Sequence, residues 1–303
     1  MGKIVVVGSL NIDLVTEAER FPLSGETILG QAFYEFPGGK GANQAVAAAR
    51  LGAEVMMIGC IGKDIFGERV KENLMNEKID CTGVLEVDDV QTGIAQITVA
   101  NDNNSIVVVP GANAALSIDW IQKQEHLMKE ADMILLQLEI PLDAVRYVIE
   151  FANAHQISTI LNPAPIQKLS VELLKKVDYL TPNESEFTHL VGCSEELFTE
   201  DTFLQLKEKG LGQLVVTRGE NGVSFWNEKE QVLKHSASQK VEVVDTTGAG
   251  DTFNGALAVH LSEGKSLVEA IDLAVLAAAF SVTKTGAQSG MPTREEILEF
   301  FKE

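Results

Sequence analysis

Residues 133–161 read MILLQLEIPLDAVRYVIEFANAHQISTIL. The run 133–138 (MILLQL) is continuously apolar apart from one glutamine, the pattern of a strand buried on both faces. Residues 142–155 read as a helix, and 157–161 (ISTIL) as the next strand. Strand, helix and strand in such a short stretch form the unit of a parallel sheet covered by helices. The alternation spreads in both directions. Downstream, 177–181 (VDYLT) and 213–217 (QLVVT) are expected strands, with helices at 184–191 and 195–209. Upstream, 4–8 (IVVVG) and 54–59 (EVMMIG) are expected strands. Helices are expected at 42–51, stopped by Gly52, and at 64–77, where Ile65, Phe66, Val70 and Leu74 share one side. Residues 222–226 (GVSFW) and 231–235 (QVLKH) predict an antiparallel hairpin across NEKE, and 250–263, 267–284 and 293–302 predict three closing helices. The middle one is alanine-rich and apolar nearly all round, so it is expected to be buried. The expected fold class is a three-layer α/β/α domain with a mostly parallel sheet.

Two stretches break the alternation. Residues 14–36 hold short β-prone pieces punctuated by Pro22, Gly25 and Gly30, and 91–109 read as a hairpin turning at NDNN. They predict a small β-sheet lid (14–36 and 91–109) on a main domain made of 1–13, 37–90 and 110–303.

The chain has 303 residues and a formal net charge of −20, from 24 basic and 44 acidic side chains. Such a field repels nucleic acid and anionic membranes, so neither is an expected partner. Any phosphate must be held by a local device: backbone N–H groups, a few lysines or a metal ion. Cys60, Cys81 and Cys193 have no CxxC spacing, and the histidines no HExxH spacing, which excludes a disulfide framework and a zinc ribbon. The opening MGKIVVVGS does not read as a signal peptide, and the most apolar stretch, 273–282, is too short to span a bilayer. A reducing cytoplasm is the expected setting.

Five constellations could carry chemistry. The sequence DTTGAGDTFNG (245–255) places Gly248, Ala249, Gly250 and Asp251 in a glycine turn opening a helix, where unpaired N–H groups and the helix dipole favour an anion. The sequence GGKGANQ (38–44) places Gly39, Lys40, Gly41 and Asn43 at another helix start; it is no P-loop, since Lys40 is followed by glycine. Asn11, Asp13, Glu139 and Asn162 follow strand ends, where ligands of open α/β sheets collect. Asn183 and Glu186 share a helical face in TPNESE, either capping that helix or organising a hydrated Mg²⁺. TRGENG (217–222) is a glycine-rich turn that could lie along a nucleotide.

In this order the segments resemble the ribokinase-like carbohydrate kinases, the phosphofructokinase B family, from Lys3 to about Glu299. GGKGANQA, NPAP at 162–165, TPNE at 181–184 and GAQSGMP at 286–292 look most like its ribose-phosphorylating members. The resemblance implies ATP as donor, a sugar, D-ribose, as acceptor, Mg²⁺ with the ATP, K⁺ or a similar monovalent activator, and a homodimer built through the lids. By position, it implies that Asp251 is the catalytic base and Gly248, Ala249 and Gly250 an anion hole. It implies sugar binding by Asn11, Asp13, Gly39, Lys40, Gly41, Asn43, Glu139 and Asp251. Nucleotide binding falls to Asn183, Thr217, Arg218, Gly219, Gly222 and Gly250, with Val275 near the adenine, and Glu186 is Mg²⁺-associated. The monovalent-cation loop comprises Asp245, Thr247, Ser281, Lys284, Gly286 and Gly290, mostly through carbonyls. Gly290 departs from the family pattern, which often has serine there, so a backbone carbonyl or Ser289 would have to serve. Fructose, a deoxy-sugar acid or a nucleoside remain alternative acceptors, and a non-catalytic sugar sensor an alternative role. A dinucleotide-dependent oxidoreductase fits poorly, because the first strand ends GSLNID without GxGxxG.

Overall fold

Ile4, Val5, Val6 and Val7 of the first strand have no exposed surface. Their alternation sends Ile4 and Val6 into one apolar cluster and Val5 and Val7 into another, so the strand lies between two cores. Burying each such side chain contributes about 1.5–3 kcal/mol, which is why the central strands read as unbroken apolar runs.

The computed structural model describes residues 1–101, 103–191 and 199–302. Its strands are β1 (Lys3–Val7), β2 (Asn11–Glu17), β3 (Ala32–Gly38), β4 (Glu54–Gly62), β5 (Asp80–Val87), β6 (Gly93–Ala100), β7 (Asn103–Val109), β8 (Met133–Leu136), β9 (Ser158–Leu161), β10 (Tyr179–Leu180), β11 (Gln213–Thr217), β12 (Val223–Asn227) and β13 (Val232–Ser236). Its helices are α1 (Lys40–Arg50), α2 (Ile65–Asn76), α3 (Ile118–Lys123), α4 (Glu125–Met128), α5 (Leu142–His155), α6 (Val171–Leu174), α7 (Glu184–Val191), α8 (Glu200–Glu208), α9 (Ala249–Ser262), α10 (Leu267–Ser281), α11 (Ala287–Gly290) and α12 (Arg294–Phe300). The main sheet runs β13-β12-β11-β10-β9-β8-β1-β4-β5, parallel from β5 to β11 and closed by the antiparallel β12–β13 hairpin. Helices α1, α9 and α10 cover one face, and α5 with its neighbours the other, giving the three expected layers.

Strand β5 and the short helices α3 and α4 were not legible in the sequence. Strand β5 is a half-exposed edge with Gly83 inside it, so its apolar signal is weak. The expected helix from 195 begins outside the described residues, as does Cys193, and its described part is α8. Cys60 is buried and Cys81 half-buried. Among the described residues no helix is long and apolar enough to cross a membrane.

The four-stranded small sheet runs β3-β2-β6-β7. It extends past the bounds expected from sequence. Asn11 pairs with Gly38 and with Gly93, so the lid strands start at Asn11 and reach Gly38. The chain leaves the main sheet at Val7 and enters the small one at Asn11, with only three residues between.

Helix α1 sits unusually close to α9. A Cβ on Gly255 would lie 2.7 Å from Ala47 Cβ and 2.8 Å from the Gln44 carbonyl. Gly255→Ala is expected to push the helices apart at a cost of about 1–3 kcal/mol. A melting temperature several degrees lower, read by differential scanning fluorimetry, checks this; an unchanged value contradicts it.

Candidate active site

The carboxyl ends of β1, β8, β9, β10 and β11 converge on one crevice, where open α/β sheets bind ligands. Asp251, in the first turn of α9, lies at its centre and is 6% exposed. Each of its oxygens accepts one hydrogen bond from α1. Gln44 Nε2 donates to Oδ1 and Asn43 Nδ2 to Oδ2, both at 3.0 Å. Burial pushes the Asp251 carboxyl above the ordinary carboxylate range, and the Lys40 charge and the two amide donors pull it back only part of the way.

Lys40 begins α1, directly after Gly39. A φ of 88° at Gly39 allows the chain to enter the helix where a Cβ would meet the Asn11 nitrogen at 2.8 Å. The Lys40 ammonium is held in its charged form by Asp251 first, against desolvation, and then by Glu139, Glu186 and Asp13. It has no carboxylate within ion-pair distance among the described residues, so it serves the whole acidic ring rather than one partner. Glu139 accepts from Ser9 Oγ at 2.5 Å and from the Lys40 backbone N–H at 3.1 Å, while Gly41 N–H donates to Ser9 Oγ at 3.3 Å.

Asn11 and Asp13 stand on β2, inside the small sheet, rather than at the end of the first main strand as the sequence suggests. Asn11 Oδ1 accepts from Asn113 Nδ2 at 2.7 Å, and Asn113 also bonds both backbone groups of Leu10. Asp13 lies over Gly38, where a Cβ would approach its carboxylate to 2.3 Å. Burial, then repulsion from Glu139 and Asp251, pushes the Asp13 carboxyl up to about 7 against the pull of Lys40.

On the other side of Asp251, Gly248 caps α9 in the left-handed conformation (φ 77°) and Gly250 presents open space where a side chain would be. Ala249 N–H is engaged with the Thr246 carbonyl at 3.3 Å, closing the turn. The donors left for an anion are therefore the N–H groups of Gly248, Gly250 and Asp251, not that of Ala249. Asn183 bridges β11 at Thr217. Its N–H and Nδ2 donate to the two Glu186 oxygens at 2.9 and 3.0 Å, and its own oxygen accepts from Glu186 N–H. The pair thus forms a reciprocal helix cap, and burial pushes the Glu186 carboxyl up. Arg218 is turned to Glu184 and Ser224 across the Gly219–Gly222 turn. Gly219 faces open space, whereas Val275 is 6% exposed and packed in the core of α10, with little surface for a ligand.

Asp245 Oδ1 accepts from Thr247 N–H and Oγ1, and Oδ2 from Gly286 N–H, which ties the two segments of the implied cation loop together. Burial opposes ionisation of Asp245, but these donors outweigh it and hold its pKa below the usual value. Gly290 fits directly beneath the Ser281 carbonyl, where a Cβ would come within 2.5 Å, which accounts for glycine in place of serine. The neighbouring Ser289 hydroxyl donates to the Thr285 carbonyl, which leaves its lone pairs available. The Lys284 ammonium points to Glu296.

This constellation coincides over its whole length with a known pattern. The model of the pfkB family carbohydrate kinases matches residues 1–294. The chain belongs to that family. Among pfkB relatives it is 42% identical to a ribokinase of Lactococcus lactis, covering 100% of this chain and 98% of the relative. It is 40% identical to a deoxyribokinase of Salmonella typhi, at 98% of each. The structure of an Arabidopsis thaliana ribokinase complexed with ribose and ATP superposes with a TM-score of 0.90 at 33% identity, covering 100% of this chain and 99% of that one. As a pfkB kinase the chain is a phosphotransferase acting on a sugar hydroxyl.

The sequence reading did not single out Ser9, Gln44, Asn113, Gln137, Asn254 or Gln288. Gln44, Asn254 and Gln288 lie inside quoted motifs and Ser9 stands two residues after β1, but nothing local marks Asn113. A cleft of about 390 Å³, lined by Tyr179, Gln213, Asn227 and Val268, opens at the amino ends of β10 and β11. It is at the wrong end of the sheet for this chemistry.

The raised Asp13 gives a pH signature. Its neutral form is favoured in the folded chain, so stability present at low pH is lost as pH rises from the unfolded carboxylate value through about 7. Asp13→Asn is therefore expected to melt higher than the parent at pH 8, with the gap shrinking toward pH 5. Thermal scans at both values check this, and a gap that widens at pH 5 contradicts it.

Proposed function

We propose that the chain phosphorylates D-ribose at its 5-hydroxyl with ATP, giving ribose 5-phosphate and ADP. The observation that carries this reading is the placement of Asp251. One side of this buried carboxylate faces the N–H groups of a helix start, and the other the polar ring of Asn11, Asp13, Lys40 and Glu139. Carboxylates and amides fixed by Ser9 and Asn113 suit the vicinal hydroxyls of a small sugar. Asp251 would accept the proton of the primary hydroxyl, and its raised pKa makes it a better base than an ordinary aspartate at ~3.9. The free N–H groups of Gly248, Gly250 and Asp251 would receive charge on the phosphoryl group in transfer. The open faces of Gly219 and Gly250 leave room for the nucleotide along the Asn183–Thr217 edge.

Among the described residues no three His, Cys, Asp or Glu side chains cluster to hold a metal. An Mg²⁺ arriving with ATP would meet Glu186 through water and offset phosphate charge. The tie between Asp245 and Gly286 fits a K⁺-type ion held by neighbouring carbonyls of that loop. Dependence on cellular ATP fits a cytoplasmic location.

The Salmonella relative's name makes 2-deoxyribose the second acceptor to weigh. ATP consumption measured against ribose, 2-deoxyribose, fructose and nucleosides tests both. Asp251→Asn is expected to lower kcat by ~10²–10⁴-fold with little change in the KM for ATP. Near-normal turnover would remove Asp251 from the role of base.

We also propose that the small sheet pairs with a second copy. Val107 and Val109 on β7 and Phe33 on β3 lie on one face of the small sheet, and Ile106, Val108 and Tyr34 on the other; all are between 43% and 62% exposed, an unusual amount of bare apolar surface for a free lid. Light scattering should give a dimer at micromolar concentration, and Val107→Glu a monomer. A monomeric parent would refute this.

A further inference from the structure

Asp251 is the meeting point of two chains of side-chain amides. On one side Gln137 Nε2 donates to Gln44 Oε1 at 2.6 Å, and Gln44 Nε2 donates to Asp251. On the other, Asn73 Nδ2 donates to Gln288 Oε1 at 2.8 Å, Gln288 Nε2 to Asn43 Oδ1 at 3.0 Å, and Asn43 Nδ2 to Asp251. The orientation of every amide follows from the carboxylate, which only accepts when ionised. Gln44 and Asn43 must turn nitrogen to it, so their oxygens face away and need a donor behind them. Gln44 has a further constraint, because Nε2 also reaches Asn162 Oδ1 at 3.3 Å, which leaves Oε1 for Gln137 alone.

Gln137 makes an unfavourable contribution to the core. It is fully buried, and its Oε1 has no hydrogen-bond partner. The atom is pressed on Gly8, where a Cβ would lie 2.1 Å away. A buried, unpaired carbonyl oxygen is destabilising, and an apolar side chain of the same length would remove that penalty. Glutamine at 137 is accounted for by the one bond it makes, to Gln44.

We infer that Gln137 is a positioning residue for phosphoryl transfer: through Gln44 it fixes the amide that holds Asp251 ionised and oriented, although it touches neither Asp251 nor substrate. This rests on Asp251 being the base, and the test separates the two ideas. Without Gln137, the buried Gln44 oxygen loses its donor, and only the carboxylate and the longer contact to Asn162 hold the amide, so the donor to Asp251 is less firmly placed. The other charged groups facing Asp251 are Lys40 on α1, Glu139 after β8, Glu186 on α7 and Asp13 on β2, and none changes in the variant.

The experiment is Gln137→Met, alone and combined with Gln44→Met, with kcat followed from pH 5.5 to 8.5 and melting measured in parallel. Losing one oriented donor to a carboxylate is worth about tenfold. We expect kcat of Gln137→Met to fall about tenfold at pH 6, the deficit to narrow at pH 8.5, and the KM for ATP to hold. Its melting temperature should equal or exceed the parent's. In the Gln44→Met background, adding Gln137→Met should change kcat no further. A structural role gives the reverse: lower melting with an unshifted pH profile. That result, or additive losses in the double variant, overturns the inference. If Gln137→Met is unfolded, Gln137→Leu and the Gln288→Met variant of the opposite arm carry the same expectation for the pH profile, and parental kcat at pH 6 in both overturns it. Should Asp251→Asn retain turnover while Gln137→Met loses it, the base assignment fails and the relay serves another group.

Discussion

Everything at this site depends on the close approach of α1 and α9. The first five residues of one helix supply Lys40, Asn43 and Gln44, and the first turn of the other supplies Asp251. The two are held in register by Gly255 against Ala47 and the Gln44 backbone. Hydrogen bonds of 3.0 Å tolerate little displacement, so a shift between the helices of even half an ångström would loosen both donors to the carboxylate at once. The small residues Ala42, Ala45, Val46, Ala47 and Ala48 along α1, all buried, allow this contact. Their composition, which looks like mere helix propensity, sets the distance between Lys40 and Asp251.

Charge is handled locally. The chain carries −20 overall, and four carboxylates of the crevice act on a single lysine. The site tolerates this concentration because it leaves three of the acids, Asp13, Glu186 and Asp251, with raised affinity for protons. Burial dominates all three shifts and Lys40 limits them. On the proposed phosphate side Arg218 is turned to Glu184, which leaves the backbone N–H groups at the start of α9 to supply the local positive field.

The central strands, the α1 and α9 helices and the residues Asp251, Lys40 and Glu139 were legible because each follows from a local pattern: an apolar run, a glycine turn, a polar residue at a strand end. What was not legible depends on long-range pairing. Asn11 and Asp13 sit on a strand of the small sheet because β2 pairs with β6, some eighty positions away in the chain. Asn113 reaches Leu10 and Asn11 across a similar separation. The NxxE spacing of Asn183 and Glu186 was compatible with a cap or a cation, and the structure adopts the cap. Gln137 sits in the middle of an apolar strand signal, where one amide is easily read as noise.

The short crossing from β1 to β2 has a mechanical consequence. Gly8, Ser9 and Leu10 are all that separates the rigid centre of the main sheet from the strand bearing Asn11 and Asp13, whereas Asp251 is fixed to α9. A rotation of the small sheet about this crossing would carry Asn11 and Asp13 with it and leave Asp251 behind. On the proposed reading, grip on the sugar and its alignment for attack would therefore be one coordinate: the motion that loosens the sugar would also separate the acceptor from its base.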